Sequence, residues 1–198
     1  WYQSWYVPNN ATLVVVGDVT PDEVKTLAQR YFGPIAKREV PAAKIPLELA
    51  EPGERQITLH VKTQLPSLML AFNVPSIATA EDKRLVNALR LISALLDGGY
   101  SGRIPTQLER GEELLSGGSS SYDAYTRGDS LFTLSATPNS QKKKTIAQAE
   151  AGLWKLLEQL KTTAPTSEEL ERVRAQVIAG LVYERDSITS QATAIAPL

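Results

Sequence analysis

The hydrophobic pattern near the start of the chain predicts one strand followed by one helix. Thr12–Val16 is almost wholly apolar and rich in β-branched residues, which is typical of a strand covered on both faces. Gly17-Asp18 ends it. Thr20 caps the next element, Pro21 takes its first position and Glu23 completes a capping box, so a helix begins there. Apolar residues then recur at helical spacing, at Val24, Leu27, Ala28 and Tyr31.

The following segment, residues 36–54, has little periodicity and several prolines. Proline is incompatible with the interior of a helix and with a central strand of a sheet, so this stretch is predicted to be an extended linker. A domain boundary is expected within it. The residues that carry this prediction are Pro41, Pro46, Pro52 and Gly53.

From Ile57 onward the pattern alternates between strand and helix periods. Ile57, Leu59 and Val61 alternate with polar residues, which predicts a half-buried strand, and a second strand follows at Leu68–Val74. Glu81–Asp97 has one apolar stripe and is predicted to be a helix that Gly98-Gly99 ends. The further predicted elements are a short helix at Arg103–Arg110 capped by Ser101, a hairpin of Leu115–Tyr125 and Ser130–Thr137, a helix at Lys142–Lys161 with Ile146 and Leu153 inward, and a long helix opened by Thr166 and Glu169 that ends near Pro197.

This order of elements predicts an α+β fold, with helices packed on one face of a mostly antiparallel sheet. The 198 residues suffice for one large or two small domains. With 21 basic and 22 acidic residues, the chain has no positive field for nucleic acid or an anionic membrane. The absence of cysteine excludes disulfides and thiolate metal sites, which fits a bacterial cytoplasm or periplasm without separating them.

The opening stretch also resembles a family motif. In the pitrilysin-type zinc metallopeptidases, the M16-like inverted zincins, a Tyr-x-Pro-x-Asn run followed by Gly-Asp ends the first domain. The matching residues here are Tyr6, Pro8, Asn10, Gly17 and Asp18. The alternative interpretation is a generic strand-helix unit of some other α/β domain.

The resemblance implies a domain organisation. Residues 1–38 would be the closing strand-helix unit of a first, catalytic domain, and residues 39–55 a linker. Residues 56–198 would be the second, metallopeptidase-like inactive domain, truncated at its carboxyl end. The chain would then be a fragment that lacks the metal-binding part.

The family's chemistry requires His-x-x-Glu-His, in which two histidines bind zinc and the glutamate activates a water. This sequence has one histidine, His60, which lies on the same side of a predicted strand as Thr58 and Lys62 and is expected to face solvent or a sheet edge. We therefore assign no catalytic and no metal-binding residue to this chain. The resemblance places zinc in the full-length protein and none in this part.

The family's second domain often carries an Arg and a Tyr seven residues apart that hold substrate. Ser101–Ser116 matches the frame of that motif and continues into the serine-rich run Ser119–Tyr122. In this register Glu109 takes the place of the Arg and Ser116 that of the Tyr. Ser116 and Tyr122 remain the candidate substrate contacts. Three further features, the acidic cluster of Glu109, Glu112 and Glu113, the lysines 142–144 and the glycine pairs, are interpreted as solvated or structural.

The resemblance implies a zinc-dependent metalloendopeptidase that hydrolyses peptides in an enclosed chamber, with this chain as its non-catalytic lobe. Its partners would be the peptide substrate and a homologous partner subunit or a second copy. The alternative is a non-catalytic structural or assembly subunit of the same family. A third possibility is an unrelated α+β binding domain.

Overall fold

In the computed structural model the protein is described over residues 1–42 and 53–196, and it divides into two compact units. One comprises Trp1–Val61 with Glu184–Leu198, and the other comprises Lys62–Tyr183. Most of the predicted linker, including Pro46 and Pro52, lies outside the described residues, as does Pro197. The linker therefore stays a prediction.

The first unit contains the predicted helix, here named α2, at Pro21–Phe32, after a single turn of helix α1 at Tyr2–Trp5. The capping box is confirmed. The Thr20 side chain accepts a hydrogen bond from the Glu23 backbone N–H at 3.3 Å, and the Glu23 carboxylate accepts one from the Thr20 N–H at 2.9 Å. These bonds satisfy donors that a helix start leaves unpaired.

The prediction of two strands in this unit is wrong: neither segment forms a strand among the residues that the structure describes. Neither Thr12–Val16 nor Ile57–Val61 pairs with another strand, and Leu13 and Ile57 are 58% and 83% exposed. The apolar stripe of α2 is open too, with Leu27 52% exposed. Periodicity indicates which side chains suit a covered strand or helix. A strand in a sheet also requires a second strand at hydrogen-bonding distance.

The second unit is built on a three-stranded antiparallel sheet of β1 at Leu68–Val74, β2 at Leu115–Tyr122 and β3 at Ser130–Pro138. The strand order is β1-β3-β2, so β3 lies in the middle. The predicted hairpin is confirmed, although β2 ends three residues before the predicted end. The pairing of β2 with β3 is interrupted by a register shift between Leu115 and Gly117.

Helix α3 at Lys83–Asp97 lies between β1 and β2 in the chain, and helices α4 at Ile146–Thr162 and α5 at Ser167–Tyr183 follow β3. On β3 fully buried side chains alternate with side chains that are half-buried or exposed, and the buried row meets the helices. This confirms the α+β class with helices on one face. The buried core consists of Leu96, Ile104, Leu108, Leu115, Phe132, Leu134, Ala136, Ala149, Leu153 and Leu156.

Capping decides where these helices begin and end. The Asp82 carboxylate accepts the Arg84 N–H at 2.9 Å, so α3 begins at Lys83, and Gly98 ends it as predicted. Gly99 has φ +68°, a conformation that glycine adopts at little cost. Thr166 and Glu169 form the predicted capping box of α5.

Three helix predictions are corrected. Helix α4 begins at Ile146 rather than Lys142, because Thr145 and Gln148 form a capping box, and Ile146 is exposed rather than inward. The short helix is a π-helix at Ile104–Gly111, and the residue at its cap is Arg103, not Ser101. The long last helix is broken after Tyr183, because Ser187 caps a separate helix, α6, at Ile188–Ile195.

Candidate functional site

The face of the sheet opposite the helices carries mostly small side chains, many of them with hydroxyl groups. Across the strands, Met69 lies opposite Ser135, which lies opposite Ser119, and the next row is Ala71, Thr133 and Ser121. Met69, Ala71, Ser119 and Ser121 are exposed, and Thr133 and Ser135 are half-buried. We call this surface the open face. Its short side chains leave room for a ligand, and its hydroxyls can donate and accept hydrogen bonds.

Ser116, one of the two predicted substrate contacts, is exposed at the register shift of β2. Its hydroxyl donates to the backbone carbonyl of Thr137 at 3.3 Å. The shift places Ser116 away from the buried core side of the strand, where its neighbour Leu115 is 1% exposed. Its assignment as a substrate contact stays a prediction.

Tyr122, the other predicted contact, is half-buried and packs against Phe132, with the ring centroids 6.3 Å apart. Its hydroxyl donates to the Pro75 carbonyl at 2.5 Å. Burial raises the pKa of this hydroxyl, and the positive charge of Arg90 opposes the rise. Tyr122 therefore faces the helical layer while Ser116 is exposed, so the structure does not bring the two together.

Tyr122 lines an open groove of about 470 Å³ between α3, β2 and α5. Arg90 lies at the groove beside Tyr125, with the guanidinium carbon 5.6 Å from the ring centroid. Ser93 and Ser120 share a hydrogen bond of 3.1 Å on its wall. The remaining lining residues are Ala94, Asp97, Gly98, Gly99, Gln176 and Val177.

The acidic cluster is used for local contacts. The Glu109 carboxylate accepts the backbone N–H of Gly118 at 2.9 Å. Glu112 pairs with Lys155 at 2.8 Å, and Glu113 pairs with Lys142 at 3.0 Å. These pairs of Glu112 and Glu113 are exposed, so each contributes at most about 1 kcal/mol.

Sequence reasoning missed an ion pair that joins two distant segments. Arg103, which is 8% exposed, binds the Glu169 carboxylate through two parallel hydrogen bonds of 3.0 Å each. These bonds, together with that from the Thr166 N–H, lower the pKa of Glu169 to about 2. The capping pattern identified Glu169, but no local signal in the sequence points from it to a partner 66 residues away.

Among the residues that the structure describes, the metal-binding side chains do not fit a zinc site. The sequence contains one histidine and no cysteine. His60 is exposed, and no three His, Cys, Asp or Glu side chains cluster suitably for a metal anywhere in residues 1–42 and 53–196. Zinc in proteins is held by such side chains, three or four at a time. Over the same residues no helix is long and apolar enough to cross a bilayer.

Comparisons with known proteins agree with the motif at the start of the chain. Among curated proteins, the zinc protease PqqE of Helicobacter pylori is 26% identical over 190 residues, which cover 94% of this chain and 41% of that protein. Among solved structures, a protease from Helicobacter pylori matches with a TM-score of 0.82 at 26% identity, covering 98% of this chain and 46% of the other. The chain thus spans less than half the length of each.

The family comparison covers most of the chain. A family model described as the peptidase M16 inactive domain matches residues 1–177. The match includes the Tyr6–Asp18 motif and the whole sheet, and it confirms the resemblance to the pitrilysin-type peptidases. The chain belongs to the peptidase M16 inactive-domain family.

Proposed function

We propose that this chain is the non-catalytic lobe of a zinc-dependent metalloendopeptidase that cleaves peptides in an enclosed chamber. The observation that carries the proposal is the match to the inactive domain of a peptidase family. It is accompanied by the lack of a suitable metal-binding cluster among the residues that the structure describes. The similarity to a zinc protease supports zinc in the whole protein, held by residues outside this chain. A peptide and a homologous partner subunit or second copy are the partners.

The open face is the part of the lobe that suits a chamber wall. Its short hydroxyl side chains form a shallow polar surface on which an extended peptide can lie. Ser116 is exposed and can reach a peptide without rearrangement. The hydroxyl of Tyr122 is already bonded to Pro75, so a peptide would meet this residue through the groove between α3, β2 and α5.

The same proposal includes the domain organisation. Residues 1–38 are the closing unit of a preceding domain, residues 39–55 a linker, and residues 56–198 the inactive domain. The exposed apolar side chains of Leu13, Val15 and Leu27 support this, because they are typical of segments covered by further structure.

A second candidate function is that of a non-catalytic structural or assembly subunit. It is favoured by Glu109 and Ser116, which stand where the resemblance would place a substrate-binding Arg and Tyr. In the structure Glu109 bonds to Gly118 instead. The metal content of the native gene product separates the two functions, since only the peptidase needs zinc.

The chamber wall is tested by filling the open face in the native gene product. In the variants Ser119→Tyr and Ser121→Tyr the new side chain would occupy the space above the sheet. We expect kcat/KM for peptide hydrolysis to fall about tenfold or more in each, while zinc content stays unchanged. Ala151→Tyr, at an exposed position on α4, is the matched control and should leave hydrolysis unaffected. Full activity in both open-face variants would contradict the assignment of this surface.

A further inference from the structure

The outer edge of β2 differs from an ordinary sheet edge because two of its backbone N–H groups donate hydrogen bonds to carboxylates. Among the described residues β2 pairs only with β3, so its other side is an edge. The N–H of Gly118 donates to Glu109 Oε1 at 2.9 Å, and the N–H of Ser120 donates to Asp97 Oδ2 at 3.2 Å. Both bonds are partly buried.

The register of the sheet shows that these two donors are the ones an added strand would use. In an antiparallel sheet, successive residues direct their backbone groups to opposite sides of the strand. Gly118 and Ser120 lie opposite Ala136 and Leu134, and their N–H groups point away from β3 to the carboxylates. An incoming strand would have to replace Glu109 and Asp97 at these positions.

The edge is open to another chain beside Ser120, whereas Ile104 of the π-helix lies close to Gly118. The open groove of about 470 Å³ is lined by Asp97, Ser120 and Tyr122, and the glycines 98 and 99 lie beside them without side chains to block it. A carboxylate accepts hydrogen bonds but donates none. The carbonyl oxygens of an approaching strand would therefore meet negative charge where they need an N–H.

We propose that Glu109 and Asp97 form an edge guard that prevents β2 from pairing with β2 of a second copy of this chain. Exposed edges pair readily with other edges, and inward-pointing charges are one device that stops them. Two β2 strands related by a two-fold axis would be self-complementary, since the outward N–H groups of each would meet the outward carbonyl groups of the other. The guard removes this route to association.

The test compares amide hydrogen exchange and sedimentation velocity of the full chain and its variants. In the double variant Glu109→Ala with Asp97→Ala, we expect the Gly118 and Ser120 amides to exchange about tenfold faster or more in dilute solution, because each loses a charged acceptor. At high concentration the sedimentation coefficient should increase. The double variant Glu109→Gln with Asp97→Asn keeps an acceptor oxygen at both positions and should restore most of the protection.

Glu112→Ala with Glu113→Ala is the matched control, since it removes two carboxylates that bind lysines rather than the edge. It should leave both the exchange of the two amides and the sedimentation unchanged. The proposal is overturned if the alanine variant keeps slow exchange at Gly118 and Ser120. It is equally overturned if exchange accelerates but sedimentation at high concentration matches that of the unsubstituted chain.

Discussion

At the scale of single residues, the Arg103–Glu169 pair is the contact with the largest electrostatic consequence. It is bidentate and mostly shielded from solvent, with the two side chains 10% and 28% exposed. Removing the carboxylate would leave the mostly buried guanidinium without a partner, which destabilises the folded protein. Glu169 also completes the capping box of α5, so one carboxylate fixes the start of the helix and holds the residue that precedes the π-helix.

We predict that Glu169→Gln lowers the free energy of unfolding by about 2–3 kcal/mol at pH 7. Glutamine can still complete the capping box, so the decrease in stability measures the contribution of the ion pair. The pKa of Glu169 falls from 4.5 to about 2 on folding. The stabilisation is therefore fully present above pH 4.5 and is lost as pH falls through 2.

Urea unfolding of both proteins at pH 7 and pH 3 measures this effect, with Glu168→Gln at the neighbouring exposed position as control. The difference between the parent chain and Glu169→Gln should shrink by about half or more at the lower pH. An equal difference at both pH values would mean that the ion pair is not its source.

At the scale of elements, the sequence predicted most of the features that depend on residues close together in the chain, such as helix caps and turns. The capping boxes at Thr20 and Thr166, the glycine stop of α3 and the hairpin of β2 and β3 are all present. Two errors, the start of α4 and the break after Tyr183, come from local caps at Thr145 and Ser187 that the prediction overlooked, and the others fall where a neighbour decides the outcome. Thr12–Val16 has the composition of a covered strand, but among the described residues nothing pairs with it. The positions of Ser116 and Tyr122 likewise depend on a register shift whose effect the sequence does not reveal.

We predict that burial, rather than helical pattern, sets the cost of truncating a leucine. Leu153 on α4 is 0% exposed within the core, so Leu153→Ala should destabilise the second unit by about 2–5 kcal/mol. Leu27 occupies the same kind of position in the pattern of α2 but is 52% exposed, so Leu27→Ala should change stability by about 0.5 kcal/mol or less. Chemical denaturation measures both, and similar losses would contradict the burial described here.

At the scale of the whole molecule, the sequence predicted the fold class and the family but not the details of the site. The fold class followed from the order of elements, and the family followed from five residues in the Tyr6–Asp18 stretch, which the match over residues 1–177 confirms. The proposed function depends on surfaces formed by distant segments. The open face and the edge guard each combine at least two segments that are far apart in sequence, and periodicity carries no information about such pairing.

We propose that this chain encloses peptides while residues elsewhere in the native protein hold the metal. The most direct test of this proposal is to purify the 198-residue chain and the native gene product in parallel and to measure bound zinc and peptide hydrolysis for both. We expect about one zinc per native protein together with chelator-sensitive hydrolysis, and neither property in the chain alone. Stoichiometric zinc with hydrolysis by the isolated chain, or a native protein that lacks both, would contradict the account.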